Sequence, residues 1–148
     1  MGCDIHAYAE RKTISGYEYM PEITPFDWRS YSLFGFLAGV RNYSAVPVIA
    51  EPRGFPDDVS ADVREKYEQW DMDAHTPSWL SMAELLAWDY DAEVEDRRVM
   101  RNGNGGCTCE PDEGKRMTWR QFLGEGFMKD IAALRDAGAD RVVFWFDN

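Results

Sequence analysis

The sequence predicts an α+β fold, on three observations. Residues 3–10 alternate, with Cys3, Ile5, Ala7 and Ala9 on one side and Asp4, His6, Tyr8 and Glu10 on the other. A period of two marks a strand with one buried face. The closing segment RVVFWFD is continuously apolar and β-rich, as a strand covered on both faces is. Between these ends lie Ser- and Thr-led segments with helix-capping signatures. The expected architecture is one domain over 1–148: a mixed or antiparallel sheet, N- and C-terminal strands side by side at its centre, and helices packed on it.

Taken in order, the first strand is followed by Ser15-Gly16 as a turn and a return strand from Tyr17 to Met20. PEITPFDWRS is irregular, because prolines exclude a helix interior. SYSLFGFLAGVRN reads as a short apolar helix, with Ser30 or Ser32 as cap and Gly39 as stop. Gly35 inside it costs roughly 1 kcal/mol of helix propensity, which points to a close contact at that position. SAVPVIAEPRGFPDD reads as a short strand and then a Pro/Gly loop. SADVREKYEQW is an exposed helix capped by Ser60, and Ser81 with Glu84 forms the capping box of another. A strand is expected from Glu93 to Met100. RNGNGG then turns the chain, since Asn-Gly tolerates positive φ, into a return strand carrying Cys107 and Cys109. Thr118 and Gln121 make a second capping box, opening a helix to Ala137 that Gly138 ends.

The composition narrows the function classes. A formal net charge of −11 argues against general binding to DNA, RNA or anionic membrane, whose affinity comes from Lys and Arg neutralising phosphates. A small phosphate ligand needs only two or three local cations and stays open. Three cysteines, two of them in a C-x-C pair, are not a disulfide framework. With no secretory signal or membrane-length apolar run, the expected setting is the cytoplasm, with reduced thiols. The start MGCDIH lacks the hydroxyl residue that a myristoylation signal carries at position six. Aromatic residues make up 14% of the chain, enough for some rings to line a pocket.

The only two histidines, His6 and His75, each follow an aspartate two places back, Asp4 and Asp73. On a strand, residues i and i+2 share a face, so Asp4 and His6 can ligate a divalent metal together or form an orienting acid–base pair. Asp73 and His75 precede a proline and a predicted helix, which places them on a loop. If that loop reaches the first strand, Asp4, His6, Asp73 and His75 make one metal-type set. The plain structural reading is that an acidic chain supplies such pairs by chance. In AEPRGFPDD, Arg53 could grip phosphate or carboxylate bidentately beside Glu51 and Gly54; the alternative is a surface turn with an Arg–Glu pair. In GVRNY, Arg41, Asn42 and Tyr43 offer charge, amide and ring to a nucleotide, or else a helix cap and a core residue. In HTPSW, Ser78 and Trp79 offer a hydroxyl and a stacking plane, as Tyr31 and Trp28 offer rings. No nucleophile elbow, P-loop, G-x-G-x-x-G or H-E-x-x-H occurs. HAY and HTP do not fit the paired H-x-T/S motifs of two-histidine phosphodiesterases.

MGCDIHAYAE, YSLFGFLAGVRN, EPRGFPDD, DAHTPSWL and VVFWFDN together resemble a family of small bacteriophage and prophage proteins, over nearly the whole length. That resemblance implies a viral setting and, by analogy with unrelated phage proteins, interference with host defence. Its blocks hold Asp4, His6, Arg41, Asn42, Glu51, Arg53, Asp73, His75, Ser78 and Trp79, which supports reading them as one site. The leading expectation is a homo-oligomeric binder that sequesters a cyclic or ADP-ribose-type nucleotide signal, through Asp4, His6, Tyr31, Arg41, Asn42, Glu51, Arg53, His75, Ser78 and Trp79, with no cofactor. The alternatives are a phosphodiesterase using a divalent metal on Asp4, His6, Asp73 and His75, and a protein-directed inhibitor of a host enzyme.

Overall fold

The computed structural model describes residues 2–101 and 104–148. By contact density the chain divides into two compact units, Met1–Arg29 with Pro52–Ala87 and Lys129–Asn148, and Ser30–Glu51 with Trp88–Met128.

The first unit carries the main sheet. Strand β1 (Asp4–Thr13) turns at Ser15-Gly16 into β2 (Gly16–Tyr19); β3 is His75–Ser81, followed directly by helix α3 (Met82–Ala87), and β8 is Arg141–Asp147. The order β2-β1-β8-β3 puts the N- and C-terminal strands at the centre, antiparallel throughout. The fold is thus α+β with the sheet the sequence predicts. Register assigns the faces, because directly opposed residues share one. His6 faces Trp145, Tyr8 faces Val143 and Glu10 faces Arg141, with Trp79 of β3 also opposite Val143. Ile5, Ala7 and Ala9 lie on the other face with Phe146, Phe144 and Val142. Helix α2 (Ala61–Glu68), with Ser60 accepting from the Val63 amide, covers the His6 face. Val59 and Val63 pack there on Val143 and Trp145, rimmed by Tyr8, Phe55, Tyr67 and Trp70. Six of the seven β8 residues are buried.

A charged group sits inside this unit. Glu10 is 0% and Arg141 2% exposed. The Arg141 Nε donates to Glu10 at 2.9 Å and its Nη1 to Asp58 at 2.9 Å. The other Glu10 oxygen accepts the Ser60 amide at 2.8 Å, fixing the start of α2. The Tyr17 ring lies 3.4 Å from the guanidinium carbon.

The second unit holds α1 (Tyr31–Ala38), β4 (Glu93–Asp96), β5 (Arg98–Arg101), β6 (Asn104–Cys107), β7 (Lys115–Thr118) and α4 (Trp119–Leu123). Strand β4 pairs with β7 and β5 with β6. Phe36 is at the centre of its core, 5.2 Å from Trp88, 5.0 Å from Trp119 and 6.0 Å from Phe127 between ring centroids. Ser30 caps α1, and Gly39 ends it in the left-handed region at φ 72°. The Gly35 contact is real: a Cβ there would stand 2.7 Å from the Asn42 side-chain oxygen.

Four local expectations are corrected. Residues 44–50 form no strand. The Asn42 amide bonds both the N–H and the C=O of Val46, Ala45 is at φ 54°, and Pro47 has no N–H to give a ladder. The segment from Glu93 breaks at Arg97, because the Asp96 carboxylate accepts the Arg98 amide in a local turn. The predicted 118–137 helix is two, α4 and α5 (Glu125–Asp136), separated at Gly124 with φ 89° and ψ 168°, a region open essentially to glycine alone. His75 opens strand β3 rather than lying on a loop. Pro77 is tolerated there because β3 is an edge strand, with a bulge between His75 and Ser78. The Asn102-Gly103 turn lies outside the described residues; Cys107 is on β6 and Cys109 follows it. Among the described residues no helix is long and apolar enough to cross a membrane.

Candidate functional site

The opening block has a local physical logic. Cys3 is fully buried. Asp4 and Arg29 form a two-pronged ion pair at 2.9 and 2.8 Å. The Arg29 hydrogen bond holds the Asp4 carboxyl below the usual range. The guanidinium lies where a Gly2 side chain would be, 2.2 Å from an ideal Cβ, so glycine leaves room for it. The His6 Nε2 meets Asp147, not Asp4, at 2.5 Å. Its ring lies 4.2 Å from Trp70 and 6.1 Å from Trp145. The result is an imidazole oriented by a carboxylate from the far end of the chain, with Nδ1 unpartnered among the described residues.

The two histidines do not converge. His75 is opposite Phe146 in register and 6.1 Å from its ring, on the sheet face away from His6. Its Nδ1 and Nε2 sit 3.0 Å from the Thr76 hydroxyl and 3.3 Å from the Asn148 amide oxygen. Asp73 is exposed at the end of a 3-10 turn, Asp71–Asp73. Asp4, His6, Asp73 and His75 therefore do not form one ligand set, and among the described residues no group of three or more His, Cys, Asp or Glu is placed to hold a metal.

Arg53, Ser78 and Trp79 do come together. The Arg53 amide donates to the Ser78 hydroxyl at 2.9 Å and the Gly54 amide to the Pro77 carbonyl at 3.0 Å, so this loop covers the edge of β3. The guanidinium stacks 4.5 Å from the Trp79 ring centroid and grips both oxygens of Glu84. That hydrogen bonding lowers the Glu84 pKa and raises that of Arg53. Arg53 is thus held by a carboxylate of its own chain, a partner 31 residues away that no local pattern indicates. Glu51 is exposed in the second unit.

In the second unit Tyr31, Arg41 and Tyr43 also meet. Arg41, at φ 50°, donates to the Tyr43 hydroxyl at 3.4 Å and lies 5.7 Å from the Tyr31 ring. Sequence reasoning missed the fourth member, Arg98. Its guanidinium lies 5.7 Å from the Tyr31 ring and 5.6 Å from the Tyr43 ring, and its Nε is buried without a hydrogen-bond partner. Tyr31 and Tyr43 touch edge to face at 6.0 Å. Their rings engage arginines, so they orient guanidinium groups rather than present open planes. Asn42 is spent on Val46 and on the contact with Gly35.

Two hollows of the first unit lie near β1 and β2. One, of about 380 Å³, is lined by Tyr19, Pro21, Asp62, Glu65, Lys66 and Gln69. The Lys66 ammonium stands 5.6 Å from the Tyr8 ring and 5.4 Å from that of Tyr19; burial, with Tyr19 adding, raises the Tyr8 pKa. The other, of about 170 Å³, runs beside β1 at His6. No family model, curated protein or solved structure matches the chain, so its own geometry carries the functional argument.

Proposed function

We propose that the protein is a phage-encoded binder that sequesters a phosphate-bearing nucleotide signal of host defence, taking the phosphate on Arg41 and Arg98. One observation carries the reading. Arg98 buries its Nε with no acceptor, beside a second guanidinium engaged with the same two tyrosines. A buried charged donor without an acceptor is costly. A phosphate oxygen is the acceptor that a guanidinium fork suits best.

Binding is favoured over cleavage because Asp4, His6, Asp73 and His75 do not assemble into one set. In this reading a second copy of the chain helps to enclose the ligand, and the working unit is a homo-oligomer. The setting is the cytoplasm of the infected cell, where the free thiols of Cys107 and Cys109, both exposed, stay reduced.

The test is incubation of the purified protein with cyclic and ADP-ribose-type nucleotides, with and without divalent metal. Heat release and chromatography follow, with Arg98→Met as the control variant. Recovery of an intact nucleotide from wild type, with at least tenfold weaker retention by the variant at an unchanged melting temperature, is the expected result. A chemically altered nucleotide would mean an enzyme. Failure to retain any nucleotide, or equal retention by Arg98→Met, would end the proposal.

A further inference from the structure

The cavity of about 170 Å³ in the first unit is lined by four consecutive residues of β1, Ile5, His6, Ala7 and Tyr8, with Thr24, Pro25, Phe26 and Asp27 opposite. Successive side chains of a strand point to opposite faces. A hollow touching four in a row must therefore run along the strand's edge and reach its main chain.

The register says which main-chain groups it reaches. β1 pairs with β8 over Asp4–Glu10 but with β2 only over Glu10–Thr13. The Glu10 carbonyl faces β8, where it accepts the Asp140 amide; the Ala9 carbonyl faces the other way and accepts the Met20 amide. By alternation, the N–H and C=O of Ile5 and Ala7 point into the hollow, and among the described residues they find no partner on that side. Two amides of the opposite wall are not offered to them. Pro25 has no N–H, and the Phe26 amide is turned away at φ 59° to the Asp130 carboxylate, 2.7 Å distant. The gap is a strand position left empty beside a strand with unused hydrogen bonds.

We propose that this edge is a strand-addition site for a short, extended, basic peptide segment of a partner protein, pairing with Ile5 and Ala7 and setting a Lys or Arg against Asp27. Ile5 to Ala7 spans roughly 7 Å of strand, so about three residues of the partner make the main-chain contact. Charge selects the occupant. Asp27 is exposed at the mouth, and Asp130 lies behind Phe26. Burial, with the charge of Asp27 adding, raises the Asp130 pKa, so a cation against Asp27 eases the repulsion between the two acids. His6 also lines the hollow, while its ring is held through Nε2 to Asp147 and packs against Trp70.

The test uses the full chain and end-blocked hexapeptides of alternating Val and Thr, with one Lys placed at each position in turn. Binding is read by fluorescence polarisation, and the Ile5 and Ala7 amides by hydrogen exchange. The expected result is binding by at least one Lys register. A Lys→Glu peptide should lose at least tenfold, as should wild-type peptide against Asp27→Asn. N-methylation at alternate peptide residues should abolish binding, and exchange should slow at Ile5 and Ala7 in the complex. Ala7→Pro removes one open N–H that the sheet does not use and should lose the peptide too. If that variant fails to fold, the N-methylated peptides and the exchange data still decide. No binding by any register, binding indifferent to N-methylation, or exchange unchanged at Ile5 and Ala7 would overturn the proposal.

Discussion

Glu10→Ala should be among the most damaging single substitutions in the chain. Glu10 is 0% exposed and its partner Arg141 2%. Removing the carboxylate leaves the guanidinium buried, with Asp58 as its remaining acid. The Asp58 side chain is 67% exposed, so it compensates weakly. Breaking a buried pair from one side costs about 3–5 kcal/mol. The Ser60 amide, which donates to Glu10, then loses its acceptor, adding roughly 1 kcal/mol. At roughly 2–4 °C per kcal/mol for a chain of this size, the melting temperature should fall by about 10 °C or more. Urea denaturation gives the free energy and thermal melting the midpoint. Glu10→Gln keeps an acceptor for Ser60 and should cost less. The Glu10→Leu, Arg141→Met double variant should be less destabilised than the sum of its singles, because no charge is stranded. A Glu10→Ala cost below about 1 kcal/mol, as for a surface pair, or a double variant worse than the summed singles, would refute the reasoning.

Two glycines separate contact from backbone. Gly35→Ala should destabilise by roughly 1–3 kcal/mol through overpacking against Asn42, although alanine is the better helix former; a rise in thermal midpoint would show that the contact yields. Gly124→Ala meets nothing within 4 Å, so its cost, of order 1–3 kcal/mol, is purely that of holding φ 89° and ψ 168°, and chemical denaturation would show it absent if the two helices merged. The Arg53 bond depresses the Glu84 carboxyl below its ordinary 4.5. Its contribution is therefore complete above that value and lost as pH falls through the depressed one. Arg53→Met should flatten the acid side of the stability profile by no more than roughly 1 kcal/mol, since both groups are partly solvated; an identical acid limb in the two proteins would contradict this.

What the sequence displayed was whatever depends on near neighbours. The alternation of β1, the apolar run of β8 and the caps at Ser30, Ser60, Ser81 and Thr118 are all used as read. Gly35, a poor helix former inside an apolar helix, marks the contact with Asn42 by its residue type alone. The misreadings came where one side chain or one φ value overrode a pattern: Asp96 breaking a strand, Gly124 a helix, Pro77 admitted to an edge. The site was less legible because its pairings are long-range. His6 meets Asp147 across 141 residues, and no spacing rule connects them. The doubled Asp-x-His was visible, but an odd shift in register between β1 and β3 against β8 decides that the rings face opposite ways.

Charge bookkeeping explains why Arg98 stood out only in three dimensions. Acids outnumber Lys and Arg by 27 to 16, so an arginine taken at random should find a carboxylate. Arg29, Arg53, Arg97, Arg116, Arg120, Arg135 and Arg141 each lie within 4 Å of one. The Arg98 guanidinium instead lies 5.7 Å from the Tyr31 ring and 5.6 Å from the Tyr43 ring, which attract a cation through their faces without neutralising it. At the proposed site the same excess of acid would repel an approaching phosphate at long range. Beyond a Debye length of about 8 Å at physiological salt that repulsion is screened, and only short contacts such as those proposed for Arg41 and Arg98 would count. Recognition at such a site must therefore come from local fit rather than from the field of the whole protein. If the proposed site holds, an acidic chain would in this way bind a small anion selectively while rejecting the polyanions that a basic surface collects.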